Sequence, residues 1–261
     1  MVRGRMDTDP QHDIDRGRGE VWWPAAQNPN IAAADVGVII PALNEERSIG
    51  LVLDALPGFI ERVVVVDNGS DDATAEVAKR HGAIVVSEPR KGYGSACLTG
   101  IDTLAEDPPD IVTFLDGDFS DDPSEIDRLL APILAGDAEL VIGSRAVGAR
   151  QDGALLPQAR FGNRLACVLI EQLHGYRFTD LGPFRAITWD TLQRLEMSDP
   201  DYGWTVEMQL KAARLGIASV EVPVSYTRRI GVSKVTGTVT GTVMAGYKIL
   251  WTILREYWSS D

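Results

Sequence analysis

The sequence predicts an α/β fold: an open, doubly wound, mostly parallel sheet with helices on both faces. Three observations point there. From Val36 onward, short apolar runs alternate with helical stretches in the strand–helix–strand rhythm of parallel sheets. Val63–Val66 is four consecutive valines, too apolar for a strand with one wet face and suited to a sheet covered on both sides. The segments that follow three of the strands are polar and acidic, as in sheets whose ligands sit beyond the C-terminal strand ends.

The elements follow in order. Val36–Ile40 is the first strand, and the helical stretch Glu46–Leu56 stops at Pro57. Arg62–Val66 reads as a central parallel strand, and Thr74–His81 as a helix ended by Gly82, a residue suited to the C-terminal cap. Ile84–Ser87 is a third strand, Tyr93–Ala105 a helix and Ile111–Leu115 a fourth strand. Pro123–Leu134 is a helix with proline in its first turn, and Leu140–Gly143 a fifth strand. Residues 1–34 lack hydrophobic periodicity and predict a disordered tail. Residues 35–236 form one domain, with no repeat or linker inside it. Residues 237–261 predict an amphipathic C-terminal helix, with Val243, Met244, Tyr247, Leu250, Trp251, Leu254, Tyr257 and Trp258 on one stripe. Lys248 and Arg255 flank that stripe. It suits a membrane interface, a dimer partner or packing onto its own domain, and periodicity does not choose among them.

The net charge of −13 argues against nucleic acid as the main partner, since such binding rests on neutralising phosphates. The charge is uneven: residues 1–150 hold 27 acidic and 13 basic side chains, residues 151–261 hold 11 and 12. The first part suits a cation and the second an anionic group. Cys97 and Cys167 each lie among apolar residues and read as two buried thiols of a reducing compartment. No stretch reaches the ~18 to 20 apolar residues of a membrane span and no secretory signal is visible. The expected setting is the cytoplasm, with peripheral contact on the inner face of the membrane open.

Chemistry gathers at the strand ends. Pro41-Ala42-Leu43-Asn44-Glu45 follows the first strand, Asp67-Asn68-Gly69-Ser70-Asp71-Asp72 the second and Asp116-Gly117-Asp118 the fourth. Parallel strands put all three at one edge. Two bare carboxylates ~4 Å apart repel by about 4 kcal/mol at an effective dielectric near 20. A divalent cation removes that penalty and makes the pair a clamp for a diphosphate. Asp-x-Asp arises by chance in an acidic chain; its place between a strand and a proline-initiated helix gives it weight. Asp67 also fits an Asx turn or a helix cap, and Glu45 a cap. Arg228–Lys234, basic among Gly and Ser, reads as an anion-binding loop or a solvated one.

Together these residues resemble the family 2 glycosyltransferases of GT-A fold, nearest to dolichyl-phosphate and polyprenyl-phosphate mannosyl- and glucosyltransferases. The motifs carrying the likeness run from Pro41–Glu45 through Asp67-x-Gly69-Ser70-x-Asp72-x-Thr74, Lys91-Gly92-x-Gly94 and Asp116-Gly117-Asp118. Gly143-Ser144-Arg145, Asp180-x-Gly182-Pro183-Phe184-Arg185, Glu221-Val222-Pro223-Val224 and Arg228-x-x-Gly231-x-Ser233-Lys234 follow. The resemblance implies that Pro41, Leu43, Glu45, Asp67, Lys91 and Gly117 hold the nucleotide-sugar, and that Asp116 and Asp118 carry Mg²⁺ or Mn²⁺ on its diphosphate. Arg145, Arg228 and Lys234 are implied at donor and acceptor phosphates, with Arg160, Asn163 and Arg185 toward the acceptor. Ser120 stands where the family often has a Gln ligand, and Gly182-Pro183 where Ser-Gly is usual. Asp180 is either a general base for a hydroxyl acceptor or a positioning group for Arg185 or the sugar. The implied reaction is inverting transfer of a hexose from a GDP-mannose or UDP-glucose type donor to a polyprenyl phosphate. A soluble hydroxyl acceptor and a non-catalytic nucleotide-sugar scaffold are the alternatives.

Overall fold

The computed structural model describes residues 31–231 and the helical positions Gly246, Lys248, Ile249, Trp251, Thr252, Ile253 and Arg255. One sheet of seven strands organises them: β1 (Val36–Ala42), β2 (Arg62–Asp67), β3 (Ile84–Ser87), β4 (Ile111–Phe114), β5 (Leu140–Ser144), β6 (Arg185–Thr188) and β7 (Ser219–Pro223). Their spatial order is β3-β2-β1-β4-β6-β5-β7. All neighbours are parallel except β6, which runs antiparallel to both β4 and β5. The five predicted strands form, each within two residues of its expected bounds. β2 lies one place from the sheet edge.

Alternation along each strand divides the core in two. Ile39, Val64, Val66, Val112 and Phe114 face one layer, filled by α3 (Tyr93–Leu104), α5 (Pro157–His174) and α7 (Trp204–Arg214). Val38, Ile40, Val65 and Val141 face the other, under α1 (Ile49–Ala55), α2 (Thr74–Arg80) and α4 (Ile126–Leu134). This two-sided burial accounts for the valine run of β2. Phe114 meets Trp204 edge-on, with ring centroids 5.8 Å apart. Cys97 and Cys167 are buried and free, as expected.

The expected tail boundary moves. Ile31–Ala33 form a short 3₁₀ turn, closed by Ala34 N donating to Ile31 O at 3.2 Å, and Ile31 and Ala34 rest on the core. Residues 1–30 lie outside the described residues. The expected helix Pro123–Leu134 opens as a 3₁₀ turn at Pro123–Glu125, where Asp122 accepts from Ser124 N, before α4 begins.

One side of the described C-terminal helix packs into the domain. Thr252 and Ile253 are buried, Lys248 Nζ lies 3.3 Å from the buried Asp199, and Arg255 lies 3.6 Å from the buried Glu207. Lys248 and Arg255 therefore serve internal carboxylates instead of facing outward, and only Trp251 of the expected stripe can be placed, half-exposed. The other stripe residues lie outside the described set. No described helix is long and apolar enough to cross a membrane.

Candidate active site

Register brings the three polar segments together. Ala42 pairs with Asp67 across β1 and β2, and Ile39 with Phe114 across β1 and β4, so Asp116 emerges near the level of Pro41. The first two loops knit to each other. Asn44 Oδ1 accepts from Asp71 N at 2.7 Å, Glu45 N donates to Thr74 Oγ1 at 2.7 Å, and Ala73 N donates to Glu46 Oε2 at 3.1 Å. Asn44 holds φ 54°, a left-handed conformation asparagine adopts at low cost.

The third loop is clamped by a segment far along the chain. Asp118 Oδ1 accepts from Ser120 N at 2.9 Å, with Phe119 between them at φ 59°. The chain after β7 then runs along this loop. Thr227 N donates to Ser120 O and Ile230 N to Asp118 O, while Asp121 bridges Tyr226. That pairing delivers Arg229, whose Nη1 stands 3.1 Å from Asp118 Oδ2. A cleft of about 170 Å³ opens here, lined by Pro41, Leu43, Glu45, Asp116, Gly117, Asp118 and Arg229 among others.

The electrostatics suit a cation. Burial first, and the neighbouring Asp118 charge second, push the Asp116 carboxyl up to about 7. Asp116 Oδ1 is buried with no hydrogen-bond partner among the described residues. Among those residues no three-ligand cage of His, Cys, Asp or Glu exists. Asp116 with its unpartnered oxygen, beside Asp118 whose oxygens take Ser120 N and Arg229, forms a carboxylate pair that fits a Mg²⁺- or Mn²⁺-type ion whose remaining ligands are water and diphosphate oxygens.

Beside this cleft lies a cavity of about 500 Å³, lined by Arg145, Arg228 and Arg229 and by Leu155, Leu156, Leu181 and Ile249. Arg145 is fixed there by Asp180. Its Nε and Nη2 each reach that carboxylate at 2.8 Å, its backbone N at 2.7 Å, and its guanidinium lies 5.0 Å from the Tyr226 ring centroid. Arg228 Nε donates to Asp152 O at 2.9 Å. Arg229 borders both spaces.

The sequence model of glycosyl transferase family 2 matches residues 37–187, more than half the chain. The chain belongs to that family. It is 40% identical to an uncharacterized glycosyltransferase of Mycobacterium tuberculosis over 217 residues, covering 82% of this chain and 96% of that one. It is 31% identical to the undecaprenyl-phosphate mannosyltransferase of Micrococcus luteus, covering 78% and 88% of the two chains. Among solved structures it is similar to M. tuberculosis glucosyl-3-phosphoglycerate synthase in complex with Mn²⁺, UDP-glucose and phosphoglyceric acid. That likeness has a TM-score of 0.68 and 25% identity, with 87% of this chain and 80% of that chain covered. The fold is GT-A and the chain is a glycosyltransferase.

Within this glycosyltransferase the expected site residues divide. Pro41, Leu43, Glu45, Asp116, Gly117 and Asp118 line the smaller cleft. Asp67 stands at the same edge with Oδ1 accepting from Ser70 N at 3.0 Å, the Asx-turn alternative. Lys91 is exposed beside Gly69. Its neighbours Gly92 and Gly94 have a structural cause: a Cβ on either would fall about 2 Å from the backbone oxygens of Pro200 and Asp199. Ser120 is buried and does not border the cleft, so the expected third metal ligand does not face it. Asn163 spends its amide on the loop before β6, donating to Thr179 O and accepting from Leu181 N, while lining the larger cavity. Arg160 opens onto a separate cavity. Lys234 lies outside the described residues.

Two expectations are corrected. Arg185 does not reach an acceptor: it is fully buried and its guanidinium donates to the carbonyls of Leu181, Gly182 and Thr205. Burial pulls its pKa down to about 10, so it remains charged while bracing that loop. Asp180 is buried and its carboxylate is taken by Arg145 and not by Arg185, an arrangement that favours neither the general-base reading nor the positioning of Arg185. Burial opposes its charge, yet Arg145 and the backbone N–H groups of Arg145 and Leu181 hold it below the ordinary carboxylate range. The Asp180→Asn variant should therefore lose about 3 kcal/mol of stability, because it leaves Arg145 buried without its counter-charge. A folded pKa below the unfolded one means this contribution is present above the ordinary range and lost as pH falls through the folded value. The gap in melting temperature should hold from neutrality to about pH 5 and close only in stronger acid. An unchanged melting temperature with a large fall in kcat would restore the base reading.

Sequence reading also missed two residues. Arg229 was passed over for Arg228, although the extended segment turns neighbouring side chains to opposite sides. Asp121 is 2% exposed, and neither of its oxygens has a hydrogen-bond partner among the described residues. Burial, then the Asp116 charge, raises its pKa well above the ordinary range. In sequence it looks like one more acid of a solvated turn.

Proposed function

We propose that this glycosyltransferase moves a hexose from a nucleoside diphosphate sugar to a polyprenyl phosphate, with inversion at the anomeric carbon. The observation that carries the reading is Arg229: held at Asp118, it borders both the donor cleft and a larger cavity whose walls combine arginines with leucines. Such walls match a phosphate headgroup continued by an apolar chain. Pro41, Leu43 and Glu45 would seat the nucleoside, and Asp116 and Asp118 would hold Mg²⁺ or Mn²⁺, which when bound neutralises the diphosphate leaving group. Arg229 and Arg228 stabilise the phosphate charges on either side of the reacting carbon, and Arg145 orients the acceptor.

An acceptor phosphate oxygen forms the new bond to the anomeric carbon while the bond to the diphosphate breaks. A phosphate ionised at neutral pH needs no base, consistent with Asp180 being fully committed to Arg145. The mannosyl transfer named for the Micrococcus relative and the Mn²⁺ and UDP-glucose bound in the mycobacterial structure support this class of donor and acceptor.

The test supplies labelled GDP-mannose or UDP-glucose with Mn²⁺ and either a polyprenyl phosphate or a water-soluble hydroxyl acceptor. Label in the organic phase with the lipid is expected. Label confined to a soluble product would replace the acceptor, and donor binding without turnover in any arm would replace the enzyme by a scaffold.

A further inference from the structure

Helix α5 presents an outer face that the described residues do not cover. Its inner face buries Ala166, Cys167 and Ile170. On the opposite side Phe161 is 71% exposed, Leu165 38% and Val168 43%, at steps of four and three along one stripe. An exposed phenylalanine in a row with two aliphatic residues marks an interaction surface more than a solvated one.

What surrounds the stripe identifies its partner. Arg160 and Arg164 lie on the same exposed side of α5, and with Arg150 and Arg177 they line an adjoining cavity of about 350 Å³. Glu171 is the one acidic residue in that lining. A protein with net charge −13 thus gathers four arginines around its exposed apolar helix face. We propose that the outer face of α5 docks onto an anionic lipid surface. Phe161, Leu165 and Val168 enter the boundary between headgroups and acyl chains, while the arginines take the lipid phosphates. A second copy of this chain fits poorly, because a two-fold contact through this face would bring the arginine cluster toward its own image.

The position is apt for the chemistry. Gln158, Ala159, Gly162 and Asn163 of the same helix line the larger cavity, so a bilayer against the outer face brings lipid phosphates to its mouth. This inference rests on the lipid-acceptor reading above, and it is measured without donor or acceptor so that the two can fail separately.

The experiment is flotation of the full chain with phosphatidylcholine vesicles, with and without phosphatidylglycerol. Binding is expected only with the anionic lipid, and it should weaken as salt rises. The double variant Phe161→Glu/Leu165→Glu should lose binding about tenfold or more, and Arg164→Glu should weaken it and flatten the salt dependence. Melting temperature and donor hydrolysis, unchanged in both, show that fold and donor site are intact. Vesicle binding without transfer to lipid would uphold the surface and sink the acceptor reading. Equal binding by the double variant, no binding by the intact chain, or a dimer that these substitutions dissociate would overturn the proposal.

Discussion

The Asp118→Asn variant should lose turnover by about a thousandfold or more while melting close to the parent protein. The amide keeps an oxygen to accept from Ser120 N, so the loop is held in its turn. It removes the negative charge that stands beside Asp116 and faces Arg229. On the proposed reading these are the two carboxylate ligands of the metal, and losing one would remove the clamp on the diphosphate, the electrostatic term on which departure of the leaving group depends. Because Arg229 is about one third exposed, water can compensate its freed charge, and the structural cost stays small. The readouts are kcat with saturating Mn²⁺, Mn²⁺ affinity by calorimetry, and melting temperature. Near-parental turnover, or full activity of the parent protein in excess chelator, would remove the metal role.

Truncation after Gly241 should destabilise the domain severely. The removed segment carries Thr252 and Ile253, both buried, and the cations Lys248 and Arg255 that serve Asp199 and Glu207. Glu207 keeps Lys211 and the N–H groups of Ser198 and Asp199, whereas Asp199 loses both Lys248 and the Thr252 hydroxyl. Breaking a buried pair by deleting one partner costs about 3 to 5 kcal/mol, and the lost apolar burial adds to it. At about 2 to 4 °C per kcal/mol for a domain of this size, a fall of more than about 10 °C follows, with aggregation on purification. A truncated protein that melts with the intact one would show that this segment is an appendage.

Much of the site was legible because its signals are local. Asp116 and Asp118 follow directly on a buried strand, and that adjacency alone puts them at the ligand edge once the strands are parallel. The valines of β2 announced a sheet covered on both faces. Arg145 and Asp180 were both visible as residues, but not their pairing across 35 positions, which converts a suspected base into the support of an arginine. The Glu221-Val222-Pro223 motif is similar: Glu221 takes the N–H groups of Thr179 and Asp180 and so holds the loop that carries the pair. Arg185 misled because arginine in a motif suggests an anion, whereas its place on the antiparallel strand β6 points its guanidinium into the domain. Periodicity cannot tell an apolar stripe that faces the core from one that faces out. It singled out the C-terminal helix, where Thr252 and Ile253 are buried and Trp251, the one stripe residue described, is half-exposed, and passed over α5, where Phe161 is exposed among the described residues.

The sequence by itself determined the α/β class, the order of its first five strands and the acidic edge where they end. Those depend on short-range patterns: runs of apolar residues, helix stops, and the residue that comes next. Only the tertiary structure decided that Arg229 stands on Asp118, that Asp180 is spent on Arg145, and that Lys248 serves Asp199. Each of these is a meeting of charges far apart in the chain. An arginine or a carboxylate has the same chemistry wherever it stands in a sequence, and burial and the nearest counter-charge, which folding supplies, determine whether it binds a substrate or holds the protein together.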